Sequence, residues 1–234
     1  MVICSTRESS SYLTIFGYER KQHVQTDIHI MRVEPPSTTK KEITSSTFNY
    51  RQLVMNPANL FKSGLGLLTE RFMDSDYGCF DSSKELEHEP ETAVPPLVGV
   101  FAVEKGSVLS QMYIYDAHKK IPMEEDFSSV LNFFRKKDFG KTIIHFGSLA
   151  SAESLKNNRR IIGSIFKEGF NFAEEISFTR AFACVHPKHV RFYEHIIGFR
   201  TIASVNCVTG LENAPGVLMD VTPYTVNTDY IKRM

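Results

Sequence analysis

The chain has 234 residues, which is enough to bury a core in one domain, with or without an extension. Lysine plus arginine and aspartate plus glutamate number 27 each, so the formal net charge is zero. This balance argues against a nucleic acid or an anionic membrane surface as the partner.

Cysteine spacing and hydropathy narrow the class of protein further. Cys4, Cys79, Cys184 and Cys207 form no C-x-x-C pair, so we expect neither a metal site nor a disulfide framework. The first residues lack the basic and apolar regions of a secretory signal, and no apolar run reaches the roughly 18 residues of a membrane span. We therefore predict a cytoplasmic protein without a transmembrane segment.

The first quarter of the chain divides into an extension and the start of a domain. Residues 1–45 are polar and are predicted to be an N-terminal extension with one strand at 27–33. The domain proper, 46–234, is predicted to begin with an alternating strand at 48–55. A helix follows Asn56 and Pro57, which suit a helix start, and its apolar stripe comprises Leu60, Phe61, Leu65, Leu68 and Phe72.

Periodicity predicts the remaining elements in turn. They are an acidic loop, a hairpin about Glu104-Lys105-Gly106, a helix, and then alternating strands and helices with a closing pair of strands. The acidic loop is predicted at 75–96, the two strands of the hairpin at 97–103 and 107–115, and the next helix at 122–137. Further strands are predicted at 143–150, 178–185 and 213–221, and further helices at 159–170 and 188–197. The order indicates one catalytic domain of the mixed α/β class, with a largely antiparallel sheet in its first half.

A basic helix start follows one of the predicted strands. Arg159 and Arg160 lie in the first turn of the helix after strand 143–150, where the positive end of the helix dipole disfavours cations. Because first-turn N–H groups are free, an anionic ligand at this place would remove the conflict.

Four motifs give the chain a family resemblance. They are IPMEEDF (121–127), FGSLAS (146–151), HPKHVRFYEHIIGF (186–199) and NAPGVLMDV (213–221), which occur in the same order as in the family. On these motifs the chain resembles GNAT-fold acyltransferases, and within them the N-acyl amino acid synthases and acyl-homoserine-lactone synthases. The resemblance implies a GNAT-like fold: a central twisted mixed sheet, flanked by helices, in which strands 143–150 and 178–185 part in a V.

The resemblance also implies roles for several residues. In this fold the parted strand binds the pantetheine arm of an acyl thioester, with Gly147, Ser148 and Leu149 nearest the thioester. The synthases usually have a glutamate where this chain has His145, and an imidazole is a competent general base near neutral pH. Tyr193 matches the tyrosine that protonates the leaving thiolate; a hydrogen-bonded structural role is the alternative for both side chains.

Donor binding is implied by a second motif. Arg159, Arg160 and Gly163 match the start of the GNAT phosphate signature, but Ile165 stands where the signature has Gly or Ala. A β-branched residue would crowd a backbone that approaches a pyrophosphate, so we expect a carrier-protein phosphopantetheine, with Lys156 adding to the basic surface. The alternative for this run is a solvated charged surface.

These features predict an N-acyltransferase without a resident cofactor or metal. It would move a medium- or long-chain fatty acyl group from an acyl carrier protein thioester, or from acyl-coenzyme A, to the amine of an amino acid or related small molecule. Two alternatives stay open: an acetyl-coenzyme A-dependent N-acetyltransferase, and a non-catalytic protein that binds acyl thioesters.

Overall fold

The structure, a computed structural model, describes residues 3–4, 28–35, 57–73, 94–121, 123–152, 159–209 and 214–233. The predicted strand at 48–55, most of the acidic loop and Lys156 lie outside these ranges. Eight strands occur within them: β1 Ile3–Cys4, β2 Ile28–Val33, β3 Val98–Glu104, β4 Ser107–Asp116, β5 Ile143–Ser151, β6 Arg180–Val185, β7 Arg200–Val205 and β8 Gly216–Val221. The helices are α1 Pro57–Met73, α2 Glu124–Lys137, α3 Arg159–Glu175, a composite helix α4 at 187–197, and α5 Thr228–Arg233.

The eight strands form one mixed sheet in the order β1-β2-β3-β4-β5-β6-β8-β7. Strands β1 to β5 are antiparallel neighbours, β5 and β6 are parallel, and β8 lies between β6 and β7. The strand predicted at 27–33 is therefore present and pairs along its length with β3. The boundary at residues 45 and 46 stays a prediction.

Helices cover both faces of this sheet. Alternation along β3 sends Val100 and Ala102 to one face and Phe101 and Val103 to the other. The first face packs against α3 and α4, here called the α3 face, and its core includes Ile161, Ile165, Phe166, Phe170, Tyr193 and Ile197. The second packs against α1 and α2, here called the α1 face, and its core includes Leu60, Phe127, Leu131 and Phe134.

The predicted hairpin turn is confirmed, and its backbone explains its sequence. Glu104 pairs with Ser107, so the loop consists of Lys105 and Gly106 alone. Their φ values are 48° and 84°, as a two-residue turn that follows the sheet twist requires. Glycine meets this requirement without steric cost.

Two segments differ from the sequence prediction. Phe178 does not start a strand: its N–H bonds to the Ala173 carbonyl and closes the end of α3, so β6 begins at Arg180. The helix predicted at 188–197 is a 3₁₀ turn at Pro187–His189, an α turn at Val190–Phe192 and a π turn at Tyr193–Ile197. The composite helix ends at Gly198, whose φ is 97°. A π turn of this kind often occurs at functional sites.

A buried ion network ties the far end of the sheet to α2. Arg180 on β6 donates to Asp138 through Nε at 2.8 Å and to Asp220 on β8, which is wholly buried. Asp220 also accepts from Arg200 on β7, and the Arg180 guanidinium lies over the Phe134 ring at 4.3 Å. The network links three neighbouring strands and one helix.

Candidate active site

The two parallel strands at the centre of the sheet part halfway along β5. Ile143 to Phe146 of β5 pair with Arg180 to Ala183 of β6, and no pair follows. β5 continues from Gly147 to Ser151 beside β4 alone, while β6 continues to Val185 beside β8. Among the described residues nothing pairs with the backbone edge of β5 that faces the split, so its N–H and C=O groups there suit a ligand. The predicted V-shaped split is confirmed.

A β-bulge lies in β5 just past the split. Gln111 pairs with Ala150 and Tyr113 with Gly147, so three steps along β5 oppose two steps along β4. The extra residue falls at Ser148, whose φ of 53° lies in the left-handed region. A non-glycine residue in this conformation costs energy and is concentrated at functional sites. The bulge therefore lies in the part of β5 that is no longer paired with β6.

His145 lies one bridge before the split, on the α1 face. It is only 2% exposed, and its ring packs against the Tyr115 ring of β4 with centroids 5.9 Å apart. A Cβ at Gly147 would stand 2.8 Å from the His145 Cε1 atom and 3.1 Å from the Tyr115 ring. Glycine at 147 is therefore what leaves room for both rings.

The His145 imidazole is buried without a partner. Neither ring nitrogen has a hydrogen bond within the described part of the chain. Desolvation by burial lowers the pKa of His145 to about 4, and no nearby charge contributes. The ring is therefore neutral at physiological pH, with one nitrogen able to accept a proton or a hydrogen bond.

A row of polar side chains extends from His145 along β4. Tyr115, Tyr113 and Gln111 alternate along the strand and so share the α1 face. The Tyr115 hydroxyl lies 3.4 Å from the Ser148 hydroxyl, and the Tyr113 hydroxyl donates to the Phe61 carbonyl of α1 at 3.3 Å. Burial raises the pKa of both tyrosines, so their hydroxyls stay protonated.

Tyr193 lies on the opposite face, within the π turn of α4. The centroid of its ring lies 5.5 Å from that of Phe166 and 5.4 Å from that of Phe199. Burial, and secondarily Cys184, raise the pKa of Tyr193. Tyr193 shares the core of the α3 face with Phe146 of β5 and Val185 of β6, which lie on the two strands that part.

The Cys184 thiol is held in its protonated form. Burial, followed by the nearby Asp126 carboxylate, raises the pKa of the Cys184 thiol to about 12. Asp126, in the first turn of α2, accepts from the Thr209 hydroxyl at 2.6 Å and from its N–H at 3.1 Å. Through Asp126, α2 anchors the chain that follows β7 close to the β6 side of the split.

The start of α3 agrees with the predicted phosphate site in the position of the helix but not in the role given to Ile165. The helix begins at Arg159, as predicted, Arg160 is exposed in its first turn and Gly163 is buried. Ile165, however, is fully buried in the core of the α3 face, two turns into the helix region. Its side chain points to the sheet and not to the helix start, so the argument that Ile165 crowds a pyrophosphate is wrong.

A comparison with models of protein families shows the family to which the chain belongs. The family model described as the N-acyl amino acid synthase FeeM matches residues 78–222, which is more than half of the sequence. The chain belongs to the FeeM N-acyl amino acid synthase family. It is an acyltransferase, and its family acylates amines, as the four motifs predict. A comparison with curated proteins gives no significant match.

Solved structures show the same fold as this FeeM-family chain. FeeM, an N-acyl amino acid synthase from uncultured soil microbes, is 18% identical over 73% of this chain and 88% of FeeM, with a TM-score of 0.57. The AHL synthase LasI is 10% identical over 84% of this chain and 89% of LasI, with a TM-score of 0.50. A putative N-acetyltransferase from Lactobacillus plantarum is 15% identical over 71% and 92%, with a TM-score of 0.45. The likeness to FeeM and to LasI confirms the predicted GNAT-like α/β fold.

Within this FeeM-family fold, only part of the predicted site is brought together. His145, Gly147 and Ser148 meet at the split, and Leu149 follows them, half-buried against the α3 face. Lys156 and the Arg159 side chain lie outside the described parts. Gln111, Tyr113 and Tyr115 were not predicted as site residues, although their alternation in SVLSQMYIYD indicates a shared face. No described helix is long and apolar enough to cross a membrane.

Proposed function

We propose that the chain transfers a medium- or long-chain fatty acyl group from an acyl carrier protein thioester to the amine of an amino acid or related small molecule, in the cytoplasm. One observation carries this proposal beyond family membership. A neutral, unpartnered and buried imidazole, His145, lies at the point where the two central strands part. A buried polar group without a partner costs free energy unless a ligand pairs with it.

The split supplies a site for the donor. The unpaired edge of β5 at Gly147, Ser148 and Leu149 offers strand-like hydrogen bonds to the amides of a phosphopantetheine arm. Backbone N–H groups of the bulge would polarise the thioester carbonyl in the same way as an oxyanion hole. Little side-chain chemistry is required for this part of the reaction, because orientation and backbone donors do most of it.

His145 serves the acceptor. In the reaction the amine nitrogen bonds to the thioester carbon, the carbon–sulfur bond breaks, and the nitrogen loses a proton. With a pKa of about 4, His145 is too weak a base to deprotonate an ammonium ion, so the amine must arrive neutral. The nitrogen becomes strongly acidic once it has attacked, and the His145 ring then takes its proton.

Tyr193 serves the leaving group. Its raised pKa keeps the phenol protonated, and its packing in the α3-face core with Phe146 and Val185 supports a position near the split. A protonated hydroxyl there supplies the proton that the departing thiolate needs. His145 and Tyr193 thus act from opposite faces of the sheet on a thioester held in the split between them.

The preference for a carrier protein rests on charge. Arg160 is exposed in the first turn of α3, next to Arg159 and in sequence close to Lys156. Such a surface suits the single phosphate and acidic surface of a carrier protein. Gly163 and the two arginines also match the start of the phosphate signature of coenzyme A-dependent enzymes, which keeps an acetyl-coenzyme A-dependent enzyme as the second candidate.

The test is product formation by the purified chain. A medium-chain and a long-chain acyl carrier protein thioester, the same acyl groups on coenzyme A, and acetyl-coenzyme A are each incubated with a mixture of amino acids. Mass spectrometry then identifies any N-acyl product. We expect N-acyl amino acids, formed fastest from the carrier-protein thioesters. Product from acetyl-coenzyme A alone would support the second candidate, and donor binding without product would mean a non-catalytic binding protein.

Charge reversal separates the two donors. Arg160→Glu should weaken turnover with the carrier protein, and the wild-type rate should fall as salt rises, because exposed charge pairs are screened. Lys136→Glu, on the exposed side of α2, is the matched control and should leave turnover unchanged. Equal turnover of both donors by the wild type, at every salt concentration, would contradict the carrier-protein preference.

A further inference from the structure

Two aromatic side chains near the end of α2 lie in solvent. Phe133, in the last two turns of the helix, is 59% exposed, and Phe139, just past the last helical residue, is 87% exposed. A single exposed ring needs no explanation, but apolar side chains that lie together on a surface usually mark a place that meets another molecule. The end of α2 is therefore a candidate for binding.

The turn after α2 holds Phe139 at the surface. The Lys141 N–H donates to the Asp138 carbonyl at 3.0 Å, which closes a four-residue turn with Phe139 and Gly140 at its tip. Gly140 has a φ of 75°, which glycine adopts without steric cost. The base of the turn is anchored, because the buried Asp138 accepts from Arg180 at 2.8 Å. Phe139 therefore lies away from the core in the folded chain.

The exposed charges around these rings have one sign. Lys136, Lys137 and Lys141 are exposed, and the Lys137 Nζ atom lies 6.0 Å from the centroid of the Phe133 ring. Asp138 is the one acidic residue between positions 132 and 141, and it is buried in the ion network, where Lys141 also contacts it. The zero net charge of the whole chain conceals this local excess of lysine. We call the surface that these side chains form the α2 patch: Phe133, Lys136, Lys137, Phe139 and Lys141.

The α2 patch and the split lie at opposite ends of β5. The patch ends at Lys141, just before β5 begins at Ile143, whereas the split opens past Phe146. Because a strand rises about 3.3 Å per residue, Ile143 and Gly147 are roughly 13 Å apart. The start of α3, with Arg160, follows the split end of β5. A donor that enters the split from the start of α3 therefore leaves the α2 patch to a different partner.

The chemistry of the α2 patch fits an anionic lipid surface. Each lysine close to anionic headgroups adds to the attraction, and aromatic rings enter the boundary between the headgroups and the acyl chains. A stable protein interface, in contrast, covers roughly 800 Å² on each partner, and lysine is depleted from its core. Two rings among three lysines are a small surface for that purpose but are sufficient for an interfacial anchor.

We propose that the α2 patch binds the surface of an anionic lipid membrane, with Phe133 and Phe139 among the headgroups and the three lysines against the phosphates. This inference goes beyond the proposed function and does not depend on it, since binding is measured without turnover. Under the proposed function the two are compatible: an N-acyl amino acid is an amphiphile, and it would be released close to the lipid that dissolves it.

Sedimentation of the full chain with lipid vesicles tests the inference. The vesicles consist of phosphatidylcholine alone or of phosphatidylcholine with an equal part of phosphatidylglycerol, each at low and at high salt. We expect the protein to sediment with the anionic vesicles at low salt, and to stay in solution with the neutral vesicles or at high salt. A chain that stays in solution with the anionic vesicles at low salt, or that binds both kinds of vesicle equally, would overturn the inference.

Substitutions then locate the binding surface. Phe139→Ser should weaken binding to anionic vesicles about tenfold, and Lys137→Glu about fivefold or more. Phe139→Trp should bind at least as well as the wild type, because tryptophan favours the membrane interface. Lys105→Glu, in the exposed hairpin turn at the split end of the sheet, is the charge control and should bind as the wild type does. Equal binding by Phe139→Ser, Lys137→Glu and the wild type would contradict the assignment to the α2 patch.

Two other results would assign the α2 patch to a protein and overturn the membrane inference. Self-association of the chain that Phe139→Ser abolishes, measured by analytical ultracentrifugation, would make the patch an interface between two copies. Slower turnover of acyl carrier protein thioesters by Lys137→Glu, without vesicles, would make it the carrier-protein site. Anionic vesicle binding by a chain that forms no product from any donor would support the inference and contradict the proposed function alone.

Discussion

The His145 ring lies against the Tyr115 ring at a centroid distance of 5.9 Å, and the Tyr115 hydroxyl in turn lies 3.4 Å from the hydroxyl of Ser148 in the bulge. This chain of contacts joins the proposed base to the strained backbone at Ser148, where we propose that the thioester binds. Tyr115 therefore connects the acceptor side of the reaction to the donor side. A shift of one group moves the others, because packed rings leave little free volume.

The buried His145 imidazole should make the free energy of unfolding of the protein depend on pH. Between the ordinary histidine pKa of 6.5 and the folded pKa of about 4, the unfolded chain binds a proton at His145 and the folded chain does not. The free energy of unfolding should therefore decrease as the pH falls through this window, by up to about 1.4 kcal/mol per pH unit for this one group. Above pH 7 the group should contribute no slope.

Urea unfolding of the wild type and of His145→Gln between pH 4.5 and 7.5 measures this. The wild type should lose stability relative to the variant as the pH falls below 6.5, because the amide does not titrate. A difference between the two proteins that is constant over the whole range would mean that His145 titrates alike in the folded and unfolded chains.

Gly147 is the position most sensitive to added volume. Gly147→Ala places a Cβ 2.8 Å from Cε1 and 3.0 Å from Nδ1 of His145, so the ring must move. We expect a loss of about 1–3 kcal/mol in stability and a drop in turnover with an unchanged donor affinity. Gly66→Ala on α1 is the matched control: its Cβ meets nothing within 4 Å, and alanine should stabilise the helix by roughly 0.5–1 kcal/mol. Wild-type turnover in Gly147→Ala would show that the position of the ring is not needed.

Much of the fold follows from local sequence, and the exceptions have physical reasons. The hairpin at Lys105 and Gly106, the acidic start of α2 and the stripe of α3 are each specified by neighbouring residues, so periodicity predicts them. The π turn at Tyr193–Ile197 was not predictable in this way. Tyr193 packs against Phe166 of α3, and Gly198 lies against the Thr225 carbonyl, and both are tertiary contacts that local sequence does not show.

The candidate site, like the fold, was predictable only where local sequence determines it. His145 and Ser148 were predicted through the family motif, and the strand that carries them follows from hydropathy. The bulge is not evident in FGSLAS, because it arises from the register between β4 and β5. The lack of hydrogen-bond partners for the Gln111 and His145 side chains among the described residues also depends on the whole fold, since a sequence pattern places a polar residue on a face but does not show what it contacts.

The ion network at the end of the sheet should dominate stability away from the site. Arg180→Met leaves Asp138 without its 2.8 Å partner and leaves the buried Asp220 with Arg200 alone. Breaking a buried ion pair on one side typically costs about 3–5 kcal/mol, which chemical denaturation would detect. Lys141→Met removes the exposed partner of Asp138 and should cost less than about 1 kcal/mol. Equal losses in both variants would contradict a special role for the buried pair.

The central claim is that His145 accepts the proton of the acceptor amine, and turnover of His145→Ala tests it most directly. Removal of a general base typically lowers the rate by about 10²–10⁴-fold, so the folded variant should lose most turnover while it still binds the acyl thioester. His145→Glu should retain a measurable part, and His195→Ala, an exposed histidine on α4, should retain all of it. Because the pKa of His145 is about 4, the wild-type rate should rise above pH 5.5 only with deprotonation of the acceptor amine. A folded His145→Ala protein with near-wild-type turnover would contradict the account.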